Sequence, residues 1–198
     1  MENKIGIINY GVAGNIASVK KTIDRAGGSS IIVDNPKDFE LIDKVVIPGV
    51  GSFKDAMLEL KNDNFLEPLL NFDRPILGIC LGMQIMAKLG YEYGKTDGMG
   101  MIDGQVKRIA CSENVPHIGF KKIKVTAPNI LLNDIEEEEF YFMHSFEILD
   151  CKSITSITQY GNHTFVSSIC KSDIFGVQFH PEKSRDAGIK LFKNFIEI

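Results

Sequence analysis

A chain of 198 residues, 44% hydrophobic and carrying a net charge of −4, suits one compact soluble domain spanning residues 1–198. The charge balance lacks the excess of Lys and Arg expected of a nucleic-acid-binding face. No apolar run approaches the ~20 residues needed to span a bilayer.

Met1-Glu2-Asn3-Lys4-Ile5-Gly6 enters a strand-like run at once and has no signal-peptide layout, so a cytoplasmic location is expected. Ile5–Ile8 reads as a buried strand. Ile16, Val19, Ile23 and Ala26 recur at helical spacing, and Gly27-Gly28 ends that helix. Ile31–Val33 and Val45–Ile47 are further strands, the latter closing on Pro48-Gly49. A helical stretch follows from about Phe53 to Leu70, then a strand over Pro75–Ile79, then a helix from about Leu81 to Leu89 capped by Gly90. Wholly apolar strands separated by helices predict an α/β fold: a three-layer, open, mostly parallel sheet with helices on both faces. Between Gly94 and Gly176 the pattern changes to short β-rich segments around Val106, Ile118–Val125, Phe140–Phe146, Ile154–Thr158 and Thr164–Ile169. These predict an added antiparallel β portion of the sheet. Ile174–Phe179 is one more strand, delivering His180 at its end. The last helix aligns Ile189, Phe192, Phe195 and Ile196. Glu136–Glu139 reads as a solvated acidic turn.

The four cysteines are Cys80, Cys111, Cys151 and Cys170; none stands at Cys-x-x-Cys spacing, so neither a zinc knuckle nor a thioredoxin-like motif is indicated. No metal or cofactor is expected, and Cys111, Cys151 and Cys170 read as ordinary reduced thiols. Cys80 is different. In Gly78-Ile79-Cys80-Leu81-Gly82-Met83-Gln84, small residues flank it two positions away on either side, allowing a sharp turn from strand into helix. Such an elbow places the sulfur at a helix N-terminus, where the dipole favours thiolate and the Leu81 amide can face an oxyanion. His180 ends another apolar strand, and sites in open α/β sheets lie at the carboxyl ends of strands. Glu182 follows two residues later. In extended backbone, favoured before Pro181, it shares a side with His180 and can hold the imidazole tautomer. Cysteine, histidine and carboxylate are the parts of an acyl-transfer triad. Pro48-Gly49-Val50-Gly51-Ser52-Phe53 also follows a strand. It can supply a second oxyanion amide, or be a plain βα turn; as a phosphate loop it lacks the Lys-Ser/Thr of a P-loop.

These motifs, together with Gly176-Val177-Gln178-Phe179-His180-Pro181-Glu182-Lys183-Ser184, resemble the class I (triad) glutamine amidotransferases almost end to end. Within that class the chain is most similar to the glutaminase subunits of imidazole glycerol phosphate synthases. Val115-Pro116-His117-Ile118-Gly119 and Phe140-Tyr141-Phe142-Met143-His144-Ser145 share that likeness. The resemblance implies attack of Cys80 on the side-chain amide of glutamine, protonation of departing ammonia by His180, and hydrolysis of a glutamyl thioester. It also implies that Gln84 contacts the substrate and Glu92 receives its α-ammonium. The Ser145-Phe146 backbone would hold glutamine, and Gly49, Val50, Gly51 and Leu81 would form the oxyanion region, the peptide near Val50 reorienting when a partner binds. Ammonia would pass to a separate (β/α)8-barrel cyclase, in a heterodimer that makes imidazole glycerol phosphate and aminoimidazole carboxamide ribotide for histidine biosynthesis. Asn15, Tyr141 and Lys183 would lie at or near that interface.

Two departures stand out. Tyr10-Gly11-Val12-Ala13-Gly14-Asn15 has one residue more than the family's Tyr-Gly-x-Gly-Asn, and Gly119-Phe120-Lys121 replaces Gly-Trp-Asn in a chain with no tryptophan. Both fall where the partner, Phe120 included, is expected to dock. The alternative is a paralogous glutaminase that donates ammonia to another synthase, such as a surface-sugar amidotransferase. Other classes fit less well. An α/β-hydrolase places its acid before the histidine, not after it, and a silent glutamine-sensing subunit has no need of three intact triad residues.

Overall fold

The computed structural model describes residues 3–11 and 13–198; Met1 and Glu2 of the opening run and Val12 of the 10–15 loop lie outside the described residues. Its frame is an eight-stranded sheet. Five strands run parallel: β1 (Lys4–Ile8), β2 (Ser29–Val33), β3 (Lys44–Ile47), β4 (Ile76–Ile79) and, from the far end of the chain, β14 (Ile174–Val177). The order is β2-β1-β3-β4-β14, continued antiparallel by β13 (His163–Lys171), β12 (Ile154–Tyr160) and the two-residue β9 (Lys124–Val125).

Two apolar clusters sandwich this sheet. One joins Ile5, Ile7, Val46, Leu77 and Ile79 to helix α1 (Ile16–Arg25) and the last helix, Arg185–Glu197, through Val19, Ile23, Leu191, Phe192 and Phe195. The other joins Ile8, Val45, Ile47 and Ile76 to α2 (Phe53–Asn62) and α3 (Leu66–Leu70). Alternate strand residues point to opposite faces, so strands covered on both faces must be apolar nearly throughout, as β4 is and as β3 is after Lys44.

Three expectations need correction. The helical stretch 53–70 is two helices, because Asn64 adopts a left-handed conformation (φ 59°) that no helix can pass through. The helix expected from Leu81 to Leu89 is a single turn, α4 (Leu81–Gln84). Backbone N–H groups of Met99, Ile102 and Gly100 take the carbonyls of Ile85, Met86 and Ala87, which the next helical turn would need. Gly90 is not a helix cap; it lies in β5 (Leu89–Gly90), where a side chain would collide with the Phe53 ring. Finally, the β-rich second half does not all extend one sheet. β5, β6 (Thr96–Asp97), β7 (Gln105–Arg108) and β11 (Phe146–Leu149) form a separate four-stranded sheet, and β8 (His117–Lys122) pairs with β10 (Glu139–His144) in a ribbon. The segment Phe140–Phe146 is therefore two strands that part at Ser145, one paired in each small sheet. Among the described residues, no helix is long and apolar enough to cross a membrane. The 13-residue helix Arg185–Glu197, α5, closes the chain.

Candidate active site

Cys80 sits between β4 and α4 with φ 53° and ψ −109°, a strained conformation for a residue with a side chain. The elbow is held by close approach. A Cβ on Gly82 would stand 1.9 Å from the Ile47 carbonyl oxygen, and one on Gly78 would stand 2.7 Å from the Gly82 backbone. The Cys80 amide donates to the Val177 carbonyl at 2.8 Å. Register Val177↔Ile79 then brings Gln178–His180 to the same carboxyl edge as the sulfur.

His180 Nδ1 lies 2.9 Å from Glu182 Oε1, with both side chains buried. His180 itself is extended (φ −105°, ψ 95°), as expected before Pro181, but the backbone after it turns through a 3-10 helix over Pro181–Lys183, so adjacency of the pair comes from a tight turn. Buried Ser184 secures that turn: its hydroxyl donates to the His180 carbonyl at 2.6 Å and accepts from the Tyr141 amide at 2.9 Å. Burial pulls the His180 pKa down, but the nearby charge of a Cys80 thiolate and the Glu182 carboxylate bonded to Nδ1 outweigh it and hold the imidazole well above its usual range. His180 Nε2 is buried with no hydrogen-bond partner among the described residues.

A cleft of about 410 Å³ opens over the sulfur, lined among others by Val50, Gly51, Cys80, Leu81, Gln84, Glu92, Ser145 and Phe146. Gly49 lies behind this wall; a side chain there would strike the Tyr10 hydroxyl, which donates to the Pro48 carbonyl at 2.8 Å and so ties down the loop. Burial and the Cys80 charge raise the Tyr10 pKa, keeping it a neutral donor. Gly51 is left-handed (φ 101°), and Val50 packs against Gly14 of the 10–15 loop. Glu92 Oε2 accepts from the Phe53 amide at 2.8 Å, at the start of α2; burial, and secondarily Asp55, push its carboxyl above the usual range against that bond. Because α4 is one turn, its macrodipole is slight, and local N–H groups rather than a long helix must favour a thiolate.

Tyr93, Arg108, Pro116, Met143 and His144 also line the cleft and carry no spacing signal in the sequence. Buried Gln178 stands in the Gly176–Ser184 motif with no role assigned from the sequence; it bonds both Gln84 and Cys80. Of the residues assigned to a partner interface, Phe120 and Tyr141 meet edge to face at 5.4 Å, with Arg185 over Phe120 and Lys183 over Tyr141. Asn15 caps α1, which packs against the Pro181–Lys183 turn.

Behind the Ser145-Phe146 wall lies a buried histidine pair. His144 Nδ1 must donate to the Phe146 carbonyl at 2.9 Å, so neutral His144 offers Nε2 as acceptor to His117 Nδ1–H at 3.3 Å. Burial, with Lys121 adding to it, lowers the His117 pKa to about 4; burial lowers that of His144 to about 3. Between pH 6.5 and those values the unfolded chain binds protons that the folded chain refuses, so stability falls as pH falls through that window. Urea unfolding from pH 6.5 to 5.0, below the range in which the raised His180 pKa acts with the opposite sign, is expected to show this loss, at up to about 1.4 kcal/mol per pH unit for each proton taken up. His144→Asn, which keeps a donor toward Phe146, should flatten the slope; an unchanged slope would rule the pair out as its source.

The chain belongs to the glutamine amidotransferase class-I family, whose family model matches residues 8–198. Similar proteins narrow the comparison. The chain is 43% identical to the imidazole glycerol phosphate synthase subunit HisH 1 of Campylobacter jejuni (strain RM1221), over 98% of this chain and 100% of that protein. It is 36% identical to subunit HisH of Desulfitobacterium hafniense (strain DSM 10664 / DCB-2), over 96% of this chain and 92% of that one. Solved structures share the fold: a glutamine amidotransferase, at TM-score 0.76 and 15% identity, over 98% of this chain and 99% of that one, and PurLQS from Thermotoga maritima, at TM-score 0.71 and 15% identity, over 100% and 99%.

Proposed function

We propose that this chain, as one glutaminase domain, hydrolyses glutamine to glutamate and ammonia and passes the ammonia to a (β/α)8-barrel cyclase subunit, forming an imidazole glycerol phosphate synthase heterodimer. The observation that carries the reading is the buried His180–Glu182 pair beside a strained Cys80 elbow at the floor of an amino-acid-sized cleft. The relatives named as HisH subunits support the assignment of partner and pathway. The cleft's own charges suit a zwitterion, with Glu92 for an α-ammonium and Arg108 as a cation in the same wall.

Cys80 thiolate attacks the glutamine side-chain carbonyl carbon. Its oxygen becomes an oxyanion facing the amides of Leu81 and the Gly49–Gly51 loop. His180, held as imidazolium by its neighbours, gives its proton to the departing ammonia, leaving a glutamyl thioester on Cys80. The neutral imidazole then takes a proton from water, which attacks the thioester carbonyl and releases glutamate. Glu182 keeps Nδ1–H aimed and stabilises each imidazolium. Gln84 and the Ser145-Phe146 backbone hold the substrate. Free ammonia near neutral pH is mostly protonated and no nucleophile, so delivery requires a docked acceptor. Phe120, Tyr141, Lys183 and Asn15 form the face we assign to that docking.

Glutamine-dependent formation of imidazole glycerol phosphate with the barrel cyclase from the same organism tests this directly. Glutamate release with no turnover of the cyclase substrate, but with amidation by a sugar-modifying synthase, would move the chain to the paralogous role. Glu182→Gln is expected to lower kcat by roughly 10²-fold to 10⁴-fold, less than loss of the nucleophile. Because the carboxylate helps raise the His180 pKa, the alkaline limb of the pH–rate profile should move to lower pH in this variant. A wild-type profile would remove Glu182 from the mechanism.

A further inference from the structure

We propose that Gln178 is a positioning residue for the Cys80 sulfur, its amide set in direction by Gln84; this rests on the reading of Cys80 as the nucleophile. Gln178 is fully buried, and its backbone amide is anchored on the Ser167 carbonyl at 2.9 Å. The side chain's direction follows from donors and acceptors alone. Gln84 Nε2 lies 2.9 Å from the Phe146 carbonyl and 2.9 Å from Gln178 Oε1. Both neighbours there are acceptors, so both Gln84 amide hydrogens are committed. Turning the Gln84 amide over would set its oxygen against the Phe146 carbonyl. Gln178 must therefore present oxygen to Gln84 and nitrogen to the other side, where Nε2 stands 3.6 Å from Cys80 Sγ.

Besides His180, the sulfur has two polar neighbours of opposite kind among the described residues. The Met143 carbonyl, 3.8 Å away, can accept the thiol hydrogen; the Gln178 amide can only donate to sulfur. Once the proton leaves for His180, the carbonyl has nothing to accept and repels the thiolate, whereas the amide bond strengthens, since a charged acceptor makes the better hydrogen bond. Gln178 therefore favours the thiolate and holds it off the Met143 carbonyl. One-turn α4 supplies little dipole for that purpose. The same chain of bonds begins at Phe146, in the wall that faces substrate, so the wall and the sulfur share one support.

The test is the pH dependence of Cys80 alkylation by iodoacetamide, read by peptide mass mapping with Cys111, Cys151 and Cys170 as internal references. In Gln178→Met the midpoint is expected to rise by about one to two pH units. Gln178→Glu, which keeps shape and acceptor but loses the donor, should shift it at least as far. Gln84→Met, which frees the Gln178 amide to rotate, should shift it less, in the same direction. With partner and glutamine, the two Gln178 variants should lose roughly 10-fold to 10²-fold in kcat near pH 7 with little change in KM, recovering in part at higher pH. A buried glutamine that merely fills space would lower thermal stability without moving the midpoint. In the unaltered chain, the Gln178 side-chain amide resonances should follow Cys80 titration and lose that dependence on alkylation. Midpoints within 0.3 pH unit of wild type in folded variants, or amide resonances blind to the titration, overturn the proposal. Glutamine hydrolysis retained by Cys80→Ala would instead refute the nucleophile reading and leave the amide–sulfur geometry untouched.

Discussion

Cys80→Ala is expected to abolish glutamine hydrolysis, with a loss on the order of 10⁴-fold or more, while leaving partner binding within about twofold. Alanine keeps the Cβ, so the left-handed elbow at φ 53° bears the same strain in the variant and the local fold persists. His180 and Glu182 remain paired, but no thioester can form, and what catalysis survives comes from the cleft and its oxyanion amides. The aromatic–cation cluster of Phe120, Tyr141, Lys183 and Arg185 does not include Cys80 and keeps its contacts. Glutamate release in the presence of partner, together with calorimetric partner binding, checks both halves. Residual hydrolysis at even a tenth of the wild-type rate would sink the triad assignment.

A large structural effect is expected at Gly82. An alanine Cβ would stand 1.9 Å from the Ile47 carbonyl oxygen, which is main chain and cannot rotate away, so β3 and the start of α4 must move apart. We expect a loss of roughly 3 kcal/mol or more, or about 10 °C in Tm for a chain this long. Cys80 alkylation should change in parallel, because the displaced turn carries the sulfur. Gly27→Ala is the informative comparison. Gly27 is left-handed, at φ 87°, whereas Gly82 is not, and it has open space around its Cβ, so it should cost only the backbone strain of about 1–2 kcal/mol. Equal melting temperatures for the two variants would show that close packing at Gly82 is not what shapes the elbow.

The parallel half of the fold was legible because its signals are local. Strands buried on both faces need apolar residues nearly throughout, and β1 after Lys4, β3 after Lys44 and the whole of β4 have them. The stop signal at Gly27-Gly28 acts over a few residues. Helix length after Cys80 was not legible. Ile85, Met86 and Ala87 have ordinary helical propensity, yet their carbonyls are claimed by residues 99–102, a bond set that no short window contains. The split at Asn64 depends on one residue's left-handed φ, which asparagine permits but does not require.

In the candidate site the division is similar. Gly-x-Cys-x-Gly and His-Pro-Glu each carry a stereochemical reason that can be read along the chain, and the carboxyl-edge rule for open sheets links them. Residues whose only signal is proximity were invisible: Gln178 reads as one polar position in an apolar strand until Gln84, 94 residues earlier, is seen to hold it. His117 and His144 likewise become a pair only through the β8–β10 register.

Residue order therefore determined the chemistry on offer, a thiol on an elbow, an imidazole and a carboxylate two positions apart, because those constraints act within a turn or two of backbone. Folding settled how far α4 runs, which sheet each later strand joins, and which buried amide reaches the sulfur. Those outcomes depend on which distant donors and acceptors meet, and burial obliges each such group to find a partner wherever the packed chain brings one.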